Sequence, residues 1–99
     1  MSPETIASLC IDVAADYFAV TRAQILSRAR PAWLCWPRHV AMTAAWTLTG
    51  LSTTRLASIF KRKDHVTLLH AHRVVTSNVD VRRKADYEKV VATVLKKAA

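Results

Sequence analysis

An all-α fold, a bundle of about five to six helices around one core, is what this chain predicts, on three observations. Its 99 residues hold a single Gly and three Pro, too few turn formers for many strands and hairpins. Hydrophobic residues make up 52% of it, which suits one small folded domain, residues 1–99, and not a disordered tail. Apolar residues recur at helical spacing behind capping residues.

Taken in order, the first helix is expected from about Pro3 to Tyr17. Ser2 can cap it, Pro3 suits its first position, and Ile6, Leu9, Cys10, Val13 and Tyr17 form its apolar stripe. A short second helix follows, Arg22 to Leu26, where Thr21 and Gln24 have capping-box spacing. Ser27 to Trp36 reads as a loop, because Pro31 blocks a continuing helix and biases Arg30 to an extended shape. The third helix should start at Pro37 and end near Thr49, with Val40, Ala41, Ala44, Ala45 and Leu48 inward and Gly50 as its stop. Ser52 caps a fourth helix from about Thr53 to Phe60, with Leu51 and Leu56 placed as a hydrophobic staple. A basic turn, Lys61-Arg62-Lys63, leads into a fifth helix that starts after Asp64 and runs to about Val75. Asp64 suits that start twice over: its carboxylate accepts a first-turn N–H, and its charge favours the positive end of the helix. Asp80 caps a last helix to about Lys96, with Tyr87, Val90, Val91, Val94 and Leu95 as its apolar side.

Formal net charge is +8, and its distribution says more than its total. No Lys or Arg precedes Arg22, whereas between Tyr17 and Val79 the only acid is Asp64. That stretch carries Arg22, Arg28, Arg30, Arg38, Arg55, Lys61, Arg62, Lys63 and Arg73, the footprint of a polyanion binder or of a merely solvated basic surface. The fourth helix (about Thr53–Phe60), its short turn and the fifth (about His65–Val75) have helix-turn-helix spacing. The fifth opens with short side chains, His65, Val66 and Thr67, of a size to enter a DNA groove. Helical domains that bind no nucleic acid share such spacing, so the spacing leaves both options open.

Three segments carry a resemblance. They are Val13-Ala14-Ala15-Asp16-Tyr17-Phe18-Ala19-Val20 with Ile25-Leu26-Ser27-Arg28, then Pro37-Arg38-His39-Val40-Ala41-Met42, then Phe60 and Asp64-His65-Val66-Thr67-Leu68-Leu69-His70-Ala71. Together they make Ile6 to Val75 similar to the C-terminal DNA-binding domain, domain four, of the DnaA family of bacterial replication initiators. The Asp-His-x-Thr-x-x-His-Ala core is the specific part. The resemblance implies sequence-specific binding to double-stranded DNA at AT-rich initiator boxes, in replication initiation or its regulation. The recognition helix would lie in the major groove and a basic loop in the minor groove. It makes Arg30 the minor-groove residue and Asp64, His65, Val66 and Thr67 the major-groove readers. Arg28, Arg38, Lys63 and His70 fall at phosphate-contacting positions, and Lys61 and Arg62 extend that rim.

Thr67 offers a hydroxyl and a methyl to a base edge, and an Arg is drawn to the narrow, negative minor groove of AT-rich DNA. The chain departs from the family pattern at three places. Lys61-Arg62-Lys63 stands where Gly-Gly-Arg is usual, Val66 replaces the first of two Thr, and Trp36 replaces an Arg. The initiator's ATPase module lies outside this sequence, which therefore reads as a stand-alone relative or an excised domain.

Other chemistries find little support. No Walker-type motif is present, so no nucleotide is expected, and no Ser-His-Asp or Cys-His arrangement is legible, so no enzyme activity is expected. His65, His70 and His72 lack metalloprotease spacing and a completing Cys or second carboxylate, so no metal or other cofactor is expected. Cys10 lies on an apolar face and Cys35 is far from it, which suggests reduced thiols. Without a basic leader or a membrane span, the expected place is the cytoplasm, at the nucleoid. Trp33 and Trp36 either stack on bases or pack against the third helix, with packing favoured, and Trp46 is expected in the core. A non-specific DNA or RNA binder remains an alternative, as does a module that contacts a replication or transcription protein through the mixed charges of the last helix.

Overall fold

The computed structural model describes all of residues 1–99. Six helices and no strand form it: α1 (Pro3–Tyr17), α2 (Arg22–Leu26), α3 (Ala32–Thr49), α4 (Thr53–Ile59), α5 (Val66–Thr76) and α6 (Val81–Ala98). Capping chemistry sets most of these bounds. Ser2 Oγ accepts the Thr5 N–H, Thr21 and Gln24 complete a reciprocal capping box, Ser52 Oγ accepts the Arg55 N–H, and Asp80 accepts from Arg82 and Arg83.

One expected boundary is corrected. The loop expected from Ser27 to Trp36 is shorter, and α3 begins at Ala32, not at Pro37. Pro31, at φ −66°, serves as the residue before the helix, where its missing N–H costs nothing. Pro37 then lies inside α3, near enough to its start to forfeit one intrahelical bond. Buried Leu34 and Trp36 draw those first turns onto the protein body and offset that loss.

α3 is the axis of the bundle. α1 packs along it on one side, α5 on another, and α6 lies across both α1 and α3. The α1 stripe is broader than expected: Ala7, Ile11, Ala14 and Ala15 join Cys10 and Val13 in the core, while Ile6 and Leu9 are half-buried. Tyr17 is corrected to the surface, 38% exposed, because its hydroxyl reaches α6 and donates to Asp86. On α6, Val90 and Val94 are buried, whereas Leu95 faces solvent. Trp36 is buried and Trp33 is exposed; Trp46 is half-buried against the His72 ring at 4.7 Å. Both cysteines are free, and burial pushes the Cys10 thiol up to about 12. No helix is long and apolar enough to cross a membrane.

Candidate nucleic-acid interface

α4 ends in a Schellman closure: the Lys61 N–H bonds the Ser58 carbonyl and the Arg62 N–H bonds that of Ala57, at 3.1 and 2.7 Å. Lys61 takes φ +57°, the left-handed position where glycine is usual. Phe60, fully buried, anchors this turn to the core. Asp64 then launches α5, its Oδ1 accepting the Val66 N–H at 2.9 Å and lying 3.4 Å from His65 Nδ1.

Leu68, Ala71 and Val75 seat α5 on the core, one helical face. The opposite face points outward: Val66 is 53% exposed, and Leu69, His70 and Arg73 are exposed beside it. His65 is exposed and Thr67 half-buried, so none of the three leading side chains is sealed inside the protein.

Facing this helix start is the loop from Ser27 to Pro31. Ser27 Oγ donates to the Gln24 carbonyl and accepts the Ala29 N–H, which folds the loop back while Arg28 and Arg30 stay exposed. Arg30, Cys35, Arg38, His39, Arg62, Asp64, Val66, Thr67 and His70 line one open groove of about 470 Å³. An adjoining depression, with no apolar lining residue, adds Arg28, Lys61 and Lys63. The structure thus brings together ten of the eleven side chains expected at a DNA site. His65 lines neither depression and stands on the rim.

Two arginines depart from their expected use. Arg38, expected at a phosphate, is only 5% exposed; its Nε donates to the Ile25 carbonyl at 2.8 Å and its Nη2 to that of Gln24 at 3.1 Å. The early start of α3 is the reason, since it carries Arg38 beneath the C-terminus of α2, where carbonyls lack helical partners. Arg62 Nη2 likewise donates to Ile25 at 3.1 Å and to Ser27 at 2.7 Å. Burial, and then the neighbouring guanidiniums of Arg38, Arg30 and Arg28, lower the Arg62 pKa.

The His39 and His70 rings meet edge to face, 5.4 Å apart. Burial, then the charges of His70, Arg38 and Arg83, lower His39 to about 4. No three His, Cys, Asp or Glu side chains converge as metal ligands.

The chain matches a family described as the bacterial dnaA protein helix-turn-helix over residues 7–75. It belongs to that family. The matched span runs from within α1 to the last turn of α5, takes in both sides of the groove, and ends before α6. Two curated relatives, chromosomal replication initiator proteins DnaA of Nitrosomonas eutropha and Nitrosomonas europaea, are each 41% identical to it over 61 residues. Those 61 residues are 62% of this chain but 13% of each relative.

Sequence reasoning missed His39 and Cys35 as groove residues. The signal was the start of α3: with Ala32 as its first residue, Cys35 and His39 share one face at i, i+4 spacing. It also missed that Arg38 and Arg62 hold main-chain carbonyls, because no local pattern marks a contact between residues 37 positions apart.

Proposed function

We propose that this chain binds double-stranded DNA sequence-specifically. Asp64, His65, Val66 and Thr67 read base edges in the major groove, and Arg30 reaches into the adjacent minor groove. The sites are AT-rich and initiator-box-like, and the process served is replication initiation or its regulation. One observation carries this reading: the outward start of a helix-turn-helix recognition helix and a loop arginine border the same cationic groove. Membership in the DnaA helix-turn-helix family, and relatives named as replication initiators, support the biological setting.

The chemistry assigns distinct tasks. Val66 and the Thr67 methyl can pack on a thymine methyl, and the Thr67 hydroxyl can bond a base edge. Asp64 Oδ1 accepts the Val66 N–H, which leaves Oδ2 for a cytosine amino group. Arg28, Lys61 and Lys63 neutralise phosphates without reading sequence. The expected result is that Arg30→Ala and Thr67→Ala each weaken binding to an AT-rich box by about 1–3 kcal/mol, and binding to random duplex far less. Titration of both duplexes by fluorescence anisotropy measures this. Equal losses on the two would favour a non-specific binder instead.

A further inference from the structure

We propose that Arg62 is a positioning residue that locks the minor-groove loop to the recognition-helix turn, so that the free protein holds its two reading elements at a fixed spacing. The proposal rests on the DNA-reading function above and deepens it.

Three features lead there. The backbone of Arg62 is itself fixed, because its N–H closes the Schellman turn of α4 at 2.7 Å. From that anchor the side chain crosses to the end of α2, where Nη2 bonds the carbonyls of Ile25 and Ser27. Arg38 arrives from α3 and bonds Gln24 and the same Ile25 oxygen. Two guanidiniums thus satisfy three carbonyls at a helix C-terminus, where positive groups are favoured and orphan acceptors are costly.

The loop has little else to hold it. Between Ser27 and Pro31, its polar contacts are the 3.3 Å bond from the Ala29 N–H to Ser27 Oγ and a weak 3.8 Å bond from Cys35 Sγ to the Arg30 carbonyl; at its far end the Pro31 carbonyl accepts the Leu34 and Cys35 N–H groups at 2.9 and 3.2 Å, which ties that end to α3. The Ser27 carbonyl, next to Arg28, is therefore the last firm tie before Arg30. Only Arg62 connects it to the turn that launches α5. Arg62 is also poorly placed as a primary phosphate ligand. Its Nη2 is occupied by two carbonyls, and its Nε is buried without a partner. A planar fork is what this task requires, since one lysine ammonium on a flexible stem does not reproduce it. Among the three residues of the basic turn, Arg62 alone reaches the loop, while Lys61 and Lys63 are exposed. Prior ordering of a reading loop removes a cost that binding would otherwise incur.

The test uses the full chain, an AT-rich duplex recovered by selection, and a scrambled duplex. Arg62→Lys and Arg62→Ala are each compared with wild type, alone and combined with Arg30→Ala. Circular dichroism checks that each variant is folded. The clamp predicts that both Arg62 variants lose about tenfold on the selected duplex and clearly less on the scrambled one. It predicts that Lys does not rescue, and that neither variant causes further loss once Arg30 is Ala. Amide exchange gives a second readout that does not need DNA: Ala29 and Arg30 exchange faster in Arg62→Lys, while Leu68 to Val75 keep their protection. Rescue by Lys with losses additive to Arg30→Ala would make Arg62 a phosphate ligand and overturn the clamp alone. A wild-type protein indifferent to the two duplexes would overturn the DNA-reading function, and the clamp's role with it.

Discussion

Two regions of this molecule treat charge differently. Where α1, α3 and α6 meet, Asp86 and Arg83 each have a partner. Asp86 accepts from the Tyr17 hydroxyl at 2.7 Å and from Trp36 Nε1 at 3.2 Å, and Arg83 lies over the Trp36 ring at 4.9 Å. Nearby on the α1 side, Arg22 pairs with Asp12 at 2.8 Å and Arg55 approaches Glu4 at 3.9 Å. Around the groove, Arg28, Arg30, Lys61 and Lys63 have no acidic partner, and the lone acid, Asp64, accepts the Val66 N–H at the start of α5. A protein that needed those cations only for solubility would not gather them around a groove that contains a helix start. The apolar core holds this fold together, and the unpaired cations around the groove are the ones the proposed function uses.

The largest effect that sharpens this contrast is the salt dependence of DNA binding. Neutralising about four phosphates gives a slope of about −3.6 in log K against log salt, a loss of roughly 100-fold between about 50 and 200 mM. Lys63→Ala should make that slope shallower by about 0.9, while Arg22→Ala, in a matched pair, should leave it unchanged. Anisotropy titrations at several salt concentrations decide it, and equal slopes for both variants would break the contrast.

Between the two regions sits His39, held neutral by burial and by His70, Arg38 and Arg83 around it. Its folded value near 4 lies below the ordinary 6.5, so the unfolded chain takes up a proton first as pH falls. Stability from this group is complete above about pH 6.5 and declines toward pH 4, by about 3 kcal/mol in all. Urea melts across this range should show the decline, and His39→Gln should flatten it.

The smallest effect concerns the region around Asp86. Asp86→Ala removes two bonds to a carboxylate and should cost about 1–2 kcal/mol of stability. Selected-duplex affinity should stay within about twofold, since Asp86 touches no groove residue expected to read DNA. The Asp86 bond also raises the Tyr17 pKa, so the phenol should return toward its ordinary value in the variant. A loss of DNA specificity in Asp86→Ala would mean the two regions are coupled.

Local chemistry explains which parts of this were legible in the sequence. Caps and periodicity mark α1, α2, α4 and α6 because each helix start depends on residues within a turn of it, as with Thr21 and Gln24. Asp64 was legible as the acceptor of a first-turn N–H, although His65, one residue later, takes the cap position of α5. α3 was misplaced because a proline suits the first position of a helix and Pro37 was read as that start, yet tertiary burial of Leu34 and Trp36 outweighs one lost hydrogen bond and extends the helix back to Ala32. The cations that line the groove are nearly all there in the charge pattern, whereas Val66, Thr67 and His70 were marked by the helix start and the family resemblance. What escaped is their division of labour. Exposed Arg28 and Arg30 look like Arg38 and Arg62 in sequence, and only the fold, which brings α3 and the turn after α4 up to the end of α2, turns the latter pair inward.

The central claim is that one face reads one sequence, and selection of bound DNA from random duplexes at low and at physiological salt tests it most directly. A single AT-rich motif should emerge at both, with affinity falling steeply as salt rises. Pools that yield no motif, with single strands retained as tightly as duplex, would contradict it.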